Sequence, residues 1–200
     1  DAAFTTVARA NDDLAAILYT SGTTGRSKGA MLTHDNLASN SYSLVDYWRF
    51  TDKDVLIHAL PIYHTHGLFV ASNVTLFARA SMIFLPKLDP DLIIKLMARS
   101  TVLMGVPTMY AAILNHPASD GMDASSLRTC ASGGSAMPLE VMRSFEEKFG
   151  CMILEGYGLS ETSPVASFNM PTRERKPGTI GVAIPGCEMW CVVLDGNEVL

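Results

Sequence analysis

Charge and cysteine are both scarce in this 200-residue chain, and their scarcity excludes several classes of function. Only 18% of the residues are charged, and the formal net charge at pH 7 is -5. This balance gives no reason to expect nucleic acid or an anionic membrane as a partner, because both attract basic proteins. The four cysteines form no Cys-x-x-Cys pair, which argues against a zinc knuckle and favours reduced thiols in a cytosolic protein.

Two catalytic signatures are missing as well. The tripeptide Gly-Lys-Ser/Thr occurs nowhere, so the spacing excludes a Walker-type phosphate loop. A catalytic triad is the second, because no Ser-His-Asp arrangement indicates a side-chain nucleophile. The chain nevertheless has 48% hydrophobic residues, which is enough to bury a full core.

Residues 55–78 contain no Asp, Glu, Lys or Arg, so a membrane span has to be considered. Histidines and Pro61 interrupt the stretch, and we interpret it as a buried strand followed by a helix. The amino terminus lacks the basic start and the apolar block of a signal peptide. The first residue is not Met, and residues 189–200 indicate an unfinished hairpin, so we expect a piece of a longer protein.

Strand-like and helix-like segments alternate, which predicts an α/β fold with parallel β-sheets flanked by helices. The predicted strands are 14–20, 29–32, 55–60, 81–85, 102–105, 127–131 and 152–155. The predicted helices are about 36–48 with Thr33 as cap, 67–79, about 90–99 with Asp89 as cap, a segment from Pro107, and 138–149. After Gly178 the pattern changes to short strands and turns. We therefore expect an α/β portion over residues 1–177 and the truncated start of a β-rich subdomain over 178–200.

The most informative segment runs from Leu18 to His34. An apolar run leads into a loop of hydroxyl and glycine residues, and a single lysine follows. Glycines let backbone N–H groups converge on an anion, hydroxyls donate hydrogen bonds to phosphate oxygens, and lysine supplies positive charge. A flexible surface loop of the same composition is the alternative. The segment predicts a polyphosphate site formed by Thr20, Ser21, Gly22, Thr23, Thr24, Gly25 and Lys28.

The string Tyr-Thr-Ser-Gly-Thr-Thr-Gly-x-x-Lys-Gly, from Tyr19 to Gly29, closely resembles the signature loop of the adenylate-forming enzymes. These include acyl-CoA synthetases, luciferases and peptide-synthetase adenylation domains. The family usually has proline before the lysine, where this chain has Ser27, and every donor stays in place. The resemblance implies an incomplete portion of a large N-terminal domain. It also implies ATP, Mg²⁺, coenzyme A and a small carboxylic acid as ligands.

Three further segments resemble motifs of this family, and each follows a predicted strand, where ligands collect in α/β sheets. The Pro-x-x-His-x-x-Gly segment at 61–67 implies that His64 lies beside the acyl carboxylate. Without the resemblance, a His pair satisfied by backbone hydrogen bonds is the simpler interpretation. The glycine-rich turn after the 127–131 strand implies contacts with adenine and the acyl group for Gly133, Gly134 and Ser135.

The last segment resembles the family's Tyr-Gly-x-Thr-Glu motif. By this resemblance Tyr157 stacks on adenine, and Glu155 and Gly156 belong to the same nucleotide-binding segment. Ser160 stands where threonine is usual and contacts phosphate, and Glu161 coordinates Mg²⁺. The residues predicted to take part in catalysis are Lys28, His64, Ser160 and Glu161.

Position 156 bears on the substrate. In malonyl-CoA synthetases, which much of Leu14–Leu114 resembles, an arginine at this place pairs with the second carboxylate of the substrate. Gly156 has no such cation, and the distal charge of a dicarboxylate would be unpaired in a partly buried pocket. From about residue 125 the chain resembles fatty-acyl-CoA ligases instead. We therefore expect a monocarboxylic acid.

The resemblance implies a two-step reaction, in which acid and ATP form acyl-AMP and the acyl group is then transferred to coenzyme A. In this family an acidic residue holds the ribose, and a mobile C-terminal domain supplies a lysine. We expect both downstream of this sequence, and we therefore expect these 200 residues to be inactive alone. Two alternatives stay open: a nucleotide-binding module without chemistry, and an adenylation domain that loads a carrier protein.

Overall fold

A computed structural model describes residues 4–20 and 26–192 of the chain. Its strands are β1 (Leu14–Thr20), β2 (Lys28–Thr33), β3 (Val55–His58), β4 (Ser81–Phe84), β5 (Val102–Gly105), β6 (Thr129–Ser132), β7 (Ile153–Gly158), β8 (Val165–Phe168) and β9 (Val182–Ala183). Its α-helices are α1 (His34–Tyr47), α2 (Ser72–Phe77), α3 (Pro90–Met97), α4 (Pro107–Leu114) and α5 (Leu139–Phe149). A π-helical turn covers His66–Ala71, and 3₁₀ turns cover Pro117–Ser119 and Ser160–Thr162.

The main sheet has seven strands in the order β4-β3-β5-β6-β7-β8-β9. The strands from β4 to β7 pair in parallel, and β8 and β9 extend the sheet with antiparallel pairing. Every residue of β5 and β6 is buried, as expected for central parallel strands that are covered on both faces. The predicted α/β fold with helix-flanked parallel strands is confirmed. The division at residue 178 stays a prediction.

The strands that flank the predicted phosphate loop form a sheet of their own. β1 and β2 pair in antiparallel fashion, and Thr20 lies directly opposite Lys28. The predicted strands 14–20 and 29–32 therefore lie outside the parallel sheet. The two flanking strands pair with each other and form a two-stranded sheet separate from the main one.

Helix starts follow local capping chemistry. The Thr33 hydroxyl accepts a hydrogen bond from the backbone N–H of Asn36 at 3.1 Å, and the Asn36 side chain accepts one from the N–H of Thr33 at 3.0 Å. Asp89 accepts a hydrogen bond from the N–H of Leu92 at 3.1 Å, and Pro90 occupies the first helical position. Both predicted caps are confirmed.

The uncharged stretch at residues 55–78 divides into β3, the π-helical turn and α2, in agreement with the strand-and-helix interpretation. Gly67 makes this arrangement possible. A Cβ on Gly67 would lie 2.8 Å from the carbonyl carbon of Pro61, so the two backbones pass too closely for any side chain. In the part of the chain that the structure describes, no helix combines the length and the apolar character needed to cross a bilayer.

The core is continuous between the sheet and its helices. The Tyr110 hydroxyl of α4 lies within hydrogen-bonding distance of the carbonyls of Leu103 and Ala131, at 3.1 and 2.7 Å. The Tyr110 ring packs edge-on against Phe145 of α5, with 5.1 Å between ring centroids. One aromatic residue therefore ties α4 and α5 to the two central strands β5 and β6.

An ion pair links the segments that lead into β3 and β6. The Arg128 guanidinium donates hydrogen bonds to both oxygens of buried Asp54 at 2.7 Å, and the Thr101 hydroxyl donates to one of them at 2.7 Å. Arg128 also donates to the carbonyls of Trp48 and Arg49. Burial raises the pKa of Asp54, but the hydrogen bonds from Arg128 and Thr101 outweigh burial and hold the pKa below its ordinary value.

We expect Arg128→Met to lower the free energy of unfolding by about 2 kcal/mol at pH 7, because it leaves the buried Asp54 carboxylate unpaired. The folded-state pKa of Asp54 lies below its unfolded value, so this contribution is present above about pH 4 and is lost as the pH falls further. Urea unfolding at stepped pH measures both effects.

The matched control is Arg99→Met, because Arg99 is exposed. An equal loss of stability in this control would contradict the role of the ion pair. So would an Arg128→Met effect that does not shrink under acidic conditions.

Candidate active site

The carboxyl ends of β6 and β7 and the π-helical turn after β3 surround a small cavity of about 80 Å³, which we call the central cavity. Ligands of α/β proteins bind beyond the carboxyl ends of the strands, so this cavity is the candidate active site. It brings together four of the predicted site residues, Gly133, Gly134, Gly156 and Tyr157. The full lining is Thr65, His66, Val70, Gly133, Gly134, Gly156, Tyr157, Gly158, Pro164, Val165 and Phe168.

β7 is longer than predicted. It runs to Gly158 instead of residue 155, so Gly156 and Tyr157 lie in a strand and not in a loop. Antiparallel pairing with β8 holds this extension, and the backbone N–H and side-chain amide of Asn169 both donate to the Glu155 carbonyl at 3.0 Å. The local sequence hides the extension because glycine is a weak strand former.

Gly156 packs directly against an aromatic ring. It is the antiparallel partner of Phe168, and a Cβ on Gly156 would lie 2.7 Å from Cγ of Phe168 and closer still to two other ring carbons. The Phe168 side chain is 4% exposed, and its ring packs edge-on against Trp48 with 4.8 Å between centroids. The ring therefore fills the space that a side chain at position 156 would need.

His66 opens the π-helical turn and reaches the glycine-rich turn across the cavity. A Cβ on Gly133 would lie 3.6 Å from Cε1 of His66. The Nδ1 atom of His66 is buried and has no hydrogen-bond partner among the described residues. Burial, followed by repulsion from His58, lowers the pKa of His66 to about 4. His66 is therefore neutral at pH 7, and its buried Nδ1 atom is left without a partner.

His64 occupies a neighbouring position. It is exposed and lines a second cavity, which shares Thr65, His66 and Gly134 with the central cavity. The ring of His64 packs against Tyr63 at 4.8 Å between centroids. His64 thus lies next to the central cavity and not in its lining, and its contact with a substrate carboxylate stays a prediction.

Glu155 supports the glycine-rich turn from inside the protein. Its side chain is 4% exposed, and Oε1 accepts a hydrogen bond from the backbone N–H of Met137 at 2.8 Å. Gly134 adopts φ of 84°, in the left-handed region that favours glycine. Ser135 is exposed and lines neither cavity. The geometry makes Glu155 a residue that positions the turn, and the predicted nucleotide contacts of Glu155 and Ser135 stay predictions.

Ser160 and Glu161 lie in the 3₁₀ turn after β7. Glu161 is exposed and lines a separate cavity beside α1. Strand β2, which begins at Lys28, contacts this turn. The fold therefore brings the lysine strand next to the residues predicted to contact phosphate and Mg²⁺.

The described ends of the phosphate loop are close together. The Thr20 hydroxyl lies 3.4 Å from the carbonyl oxygen of Lys28, and the Lys28 side chain is exposed. The other predicted members of the loop, Ser21, Gly22, Thr23, Thr24 and Gly25, lie outside the described residues.

The donor set is compatible with Mg²⁺. Over residues 4–20 and 26–192, no group of three or more His, Cys, Asp or Glu side chains is arranged to hold a metal ion. Mg²⁺ does not need such a group, because it is commonly bound by one or two carboxylates together with substrate phosphates. The exposed carboxylate of Glu161 meets this requirement beside the lysine strand.

His66 and Phe168 are among the cavity residues that sequence reasoning missed. The signal for His66 was present in the pair His64-x-His66 just before Gly67, but the motif resemblance selected His64. Phe168 has no local signal, since its contact with Gly156 depends on the register between β7 and β8.

We expect His66→Asn to reduce the slope of the free energy of unfolding against pH between about pH 6.5 and 4. The unfolded-state pKa is 6.5 and the folded-state pKa is about 4, so the unfolded state binds more protons in this window. Stability therefore falls as the pH decreases through the window, by up to about 3 kcal/mol from this group. Urea unfolding at stepped pH measures the slope. The exposed His34 provides the control His34→Asn, and an unchanged slope in His66→Asn would contradict the assignment.

Comparison with known proteins gives consistent matches. A family model described as AMP-binding enzyme matches residues 2–199. The long-chain-fatty-acid–CoA ligase of Bacillus subtilis (strain 168) is 38% identical over 181 residues, which cover 88% of this chain and 32% of that protein. The malonate–CoA ligase of Arabidopsis thaliana is 38% identical over 198 residues, with the same coverage of 88% and 32%.

Among solved structures, ATP-bound MatB from Rhodopseudomonas palustris matches with a TM-score of 0.93 and 57% sequence identity. The match covers 99% of this chain and 39% of the MatB chain. This chain therefore spans about a third of the length of its curated relatives. It covers 32% of the Bacillus subtilis ligase and 32% of the Arabidopsis thaliana ligase.

Proposed function

Because the chain belongs to the family of AMP-binding enzymes, we propose that the full-length protein is an AMP-forming acid–thiol ligase. It converts a carboxylic acid and ATP into acyl-AMP and pyrophosphate, and then transfers the acyl group to coenzyme A. The observation that carries the proposal is the contact between the strand of Lys28 and the turn of Ser160 and Glu161. This contact unites the two phosphate-directed motifs in a chain that is 57% identical to a protein with bound ATP.

The first step brings two anions together, the substrate carboxylate and the triphosphate. A carboxylate oxygen attacks the α-phosphorus, the bond from that phosphorus to the bridging oxygen breaks, and pyrophosphate leaves. Thr20 and Lys28 lie opposite each other at the paired ends of β1 and β2, and this pairing supports a shared role in contacting phosphate. The Lys28 ammonium offsets the charge that accumulates on the leaving pyrophosphate, while the Ser160 hydroxyl donates to a phosphate oxygen.

Glu161 would hold Mg²⁺ together with phosphate oxygens of the nucleotide. The ion, when bound, neutralises phosphate charge and acts as a Lewis acid. The exposure of the Glu161 carboxylate and the nearness of its turn to β2 support this role.

The central cavity and its rim suit the organic parts of the substrates. Tyr157 is 42% exposed at the end of β7, so a ring face is available for stacking on adenine. Gly133 and Gly134 leave room for a flat ring against the backbone. The neutral imidazole of His66 and the exposed imidazole of His64 border the place where the acyl carboxylate would lie.

In the second step the thiol of coenzyme A releases its proton to solvent, and its sulfur attacks the carbonyl carbon of acyl-AMP. The bond between that carbon and the phosphate oxygen breaks, and AMP leaves. Both curated relatives described above are named CoA ligases, which supports coenzyme A over a carrier-protein thiol as the acceptor.

We expect Lys28→Ala to lower the rate of ATP–pyrophosphate exchange in the full-length protein at least about 100-fold, because a charge that stabilises the transition state is lost. Lys28→Arg keeps the charge and should retain part of the rate. Exposed Lys53 supplies the control Lys53→Ala, which should exchange at the wild-type rate. The double replacement of Thr20 and Lys28 by Ala tests the phosphate site as a whole. Exchange at the wild-type rate together with an unaltered affinity for Mg²⁺-ATP would refute the site.

We expect Glu161→Gln to raise the Mg²⁺ concentration for half-maximal exchange at least about 10-fold, because a neutral amide is a weaker ligand for a hard cation. Titration of Mg²⁺ at saturating ATP measures this requirement. The control is Glu147→Gln on the exposed face of α5. Identical Mg²⁺ curves for wild type and Glu161→Gln would remove Glu161 from the metal site.

A further inference from the structure

Two cysteine side chains meet in the core beside the central strands. Cys130 lies in β6, and Cys151 lies in the short connection between α5 and β7. Their sulfur atoms are 3.4 Å apart, and the two residues are 0% and 3% exposed. Both are free thiols in this structure. The two sulfurs are therefore in contact although no bond joins them.

The backbone holds this contact from both sides. β6 and β7 pair in parallel with Cys130 opposite Ile153, and the N–H of Cys130 donates to the carbonyl of Met152 at 3.3 Å. Gly150, with φ of 67°, ends α5 and turns the chain into Cys151. A disulfide needs about 2.05 Å between its sulfurs, so bond formation requires an approach of about 1.3 Å, which is within reach of small side-chain rotations.

Two other uses of paired cysteines have to be weighed. A structural zinc site takes four ligands, and the described part of the chain holds no group of three or more His, Cys, Asp or Glu side chains placed for a metal ion. Buried thiols also serve as small apolar core residues without any chemistry. Apolar packing explains the burial of Cys130 and Cys151, but it does not require their sulfurs to meet.

The two thiols differ in reactivity and in access. A hydrogen bond from Cys130 to Cys151 lowers the pKa of Cys151 and raises the pKa of Cys130, and burial raises the pKa of Cys130 further. The connection that holds Cys151 reaches the surface, because Met152 next to it is 45% exposed. A small oxidant that enters when this connection opens meets Cys151 first, and Cys151 is the thiol that ionises more readily.

We propose that Cys130 and Cys151 form an oxidative modification site, which closes to an intramolecular disulfide when the protein meets hydrogen peroxide. The Cys151 thiolate attacks one peroxide oxygen, the O–O bond breaks, and the hydroxide that leaves takes up the proton that Cys151 released. The Cys130 sulfur then attacks the sulfur of the Cys151 sulfenic acid, and the hydroxyl group leaves with the Cys130 proton as water. In sum, two thiols are oxidised to one disulfide, and the peroxide is reduced to two molecules of water.

This site is separate from the candidate active site. Cys130 is the second residue of β6 and Cys151 precedes β7, so the pair lies toward the amino ends of these strands, whereas the central cavity lies at their carboxyl ends. The proposal therefore does not depend on the ligase function. A disulfide here would close a ring over residues 130–151, which contains the glycine-rich turn and all of α5.

The test treats the full-length protein with hydrogen peroxide, blocks the remaining thiols with N-ethylmaleimide and digests the protein with trypsin in the absence of reductant. Trypsin places the two cysteines on separate peptides, 129–143 and 149–173, each of which contains a single cysteine. We expect the cross-linked pair of peptides to increase at least about 10-fold over untreated protein, and to disappear after treatment with dithiothreitol. Mass spectrometry measures the linked and the single peptides.

Variants test whether the two thiols act as a pair. In Cys130→Ala the sulfenic acid at Cys151 has no thiol to attack it, so peptide 149–173 should gain the two oxygen atoms of a sulfinic acid. Half-buried Cys187 supplies the control Cys187→Ala, which should form the linked peptides as the wild type does.

Recovery of both wild-type peptides as blocked thiols, or as separate sulfinic acids, would overturn the proposal. Equal linkage of either peptide to another cysteine of the protein would overturn it as well. If Cys130→Ala does not fold, the wild type and Cys187→Ala decide the question.

Discussion

The antiparallel pairing of β8 with the end of β7 is the interaction on which the candidate active site depends. It carries β7 three residues beyond Glu155, so that Tyr157 projects from a strand that is hydrogen-bonded along its edge. The Asn169 side chain strengthens the junction by donating to the carbonyls of Glu155 and Thr179 at 3.0 and 2.6 Å. The same register puts the Phe168 ring on Gly156, and backbone pairing thereby shapes the cavity.

The site has two parts of opposite electrostatic character. Thr20 and Lys28 lie at the paired ends of β1 and β2, Glu161 lies on the adjoining turn, and the polar groups there are accessible to solvent. The central cavity is smaller and mostly apolar, and burial keeps His66 neutral inside it. The proposed ligase reaction would use such a division, because it balances phosphate charge at one end of the substrates and keeps water from the acyl group at the other.

The frame that holds these parts is made of long-range contacts in the parallel sheet. The Asp54–Arg128 ion pair joins the segments before β3 and β6, and Tyr110 connects α4 to β5 and β6. These contacts keep the carboxyl ends of neighbouring strands level, so the loops that follow them meet at one edge. Gly67 contributes in a different way, because only glycine allows the π-helical turn to start against the Pro61 backbone.

The sequence alone determined the features that depend on local chemistry. The alternation of strands and helices, the caps at Thr33 and Asp89, and the family motifs were all readable, because hydrophobic periodicity and capping act within a few residues. Only the tertiary structure decided that the strands flanking the predicted phosphate loop pair outside the main sheet, that β7 extends to Gly158, and that His66 and Phe168 border the central cavity. These features depend on strand register and on burial between distant segments, and no local pattern encodes such contacts.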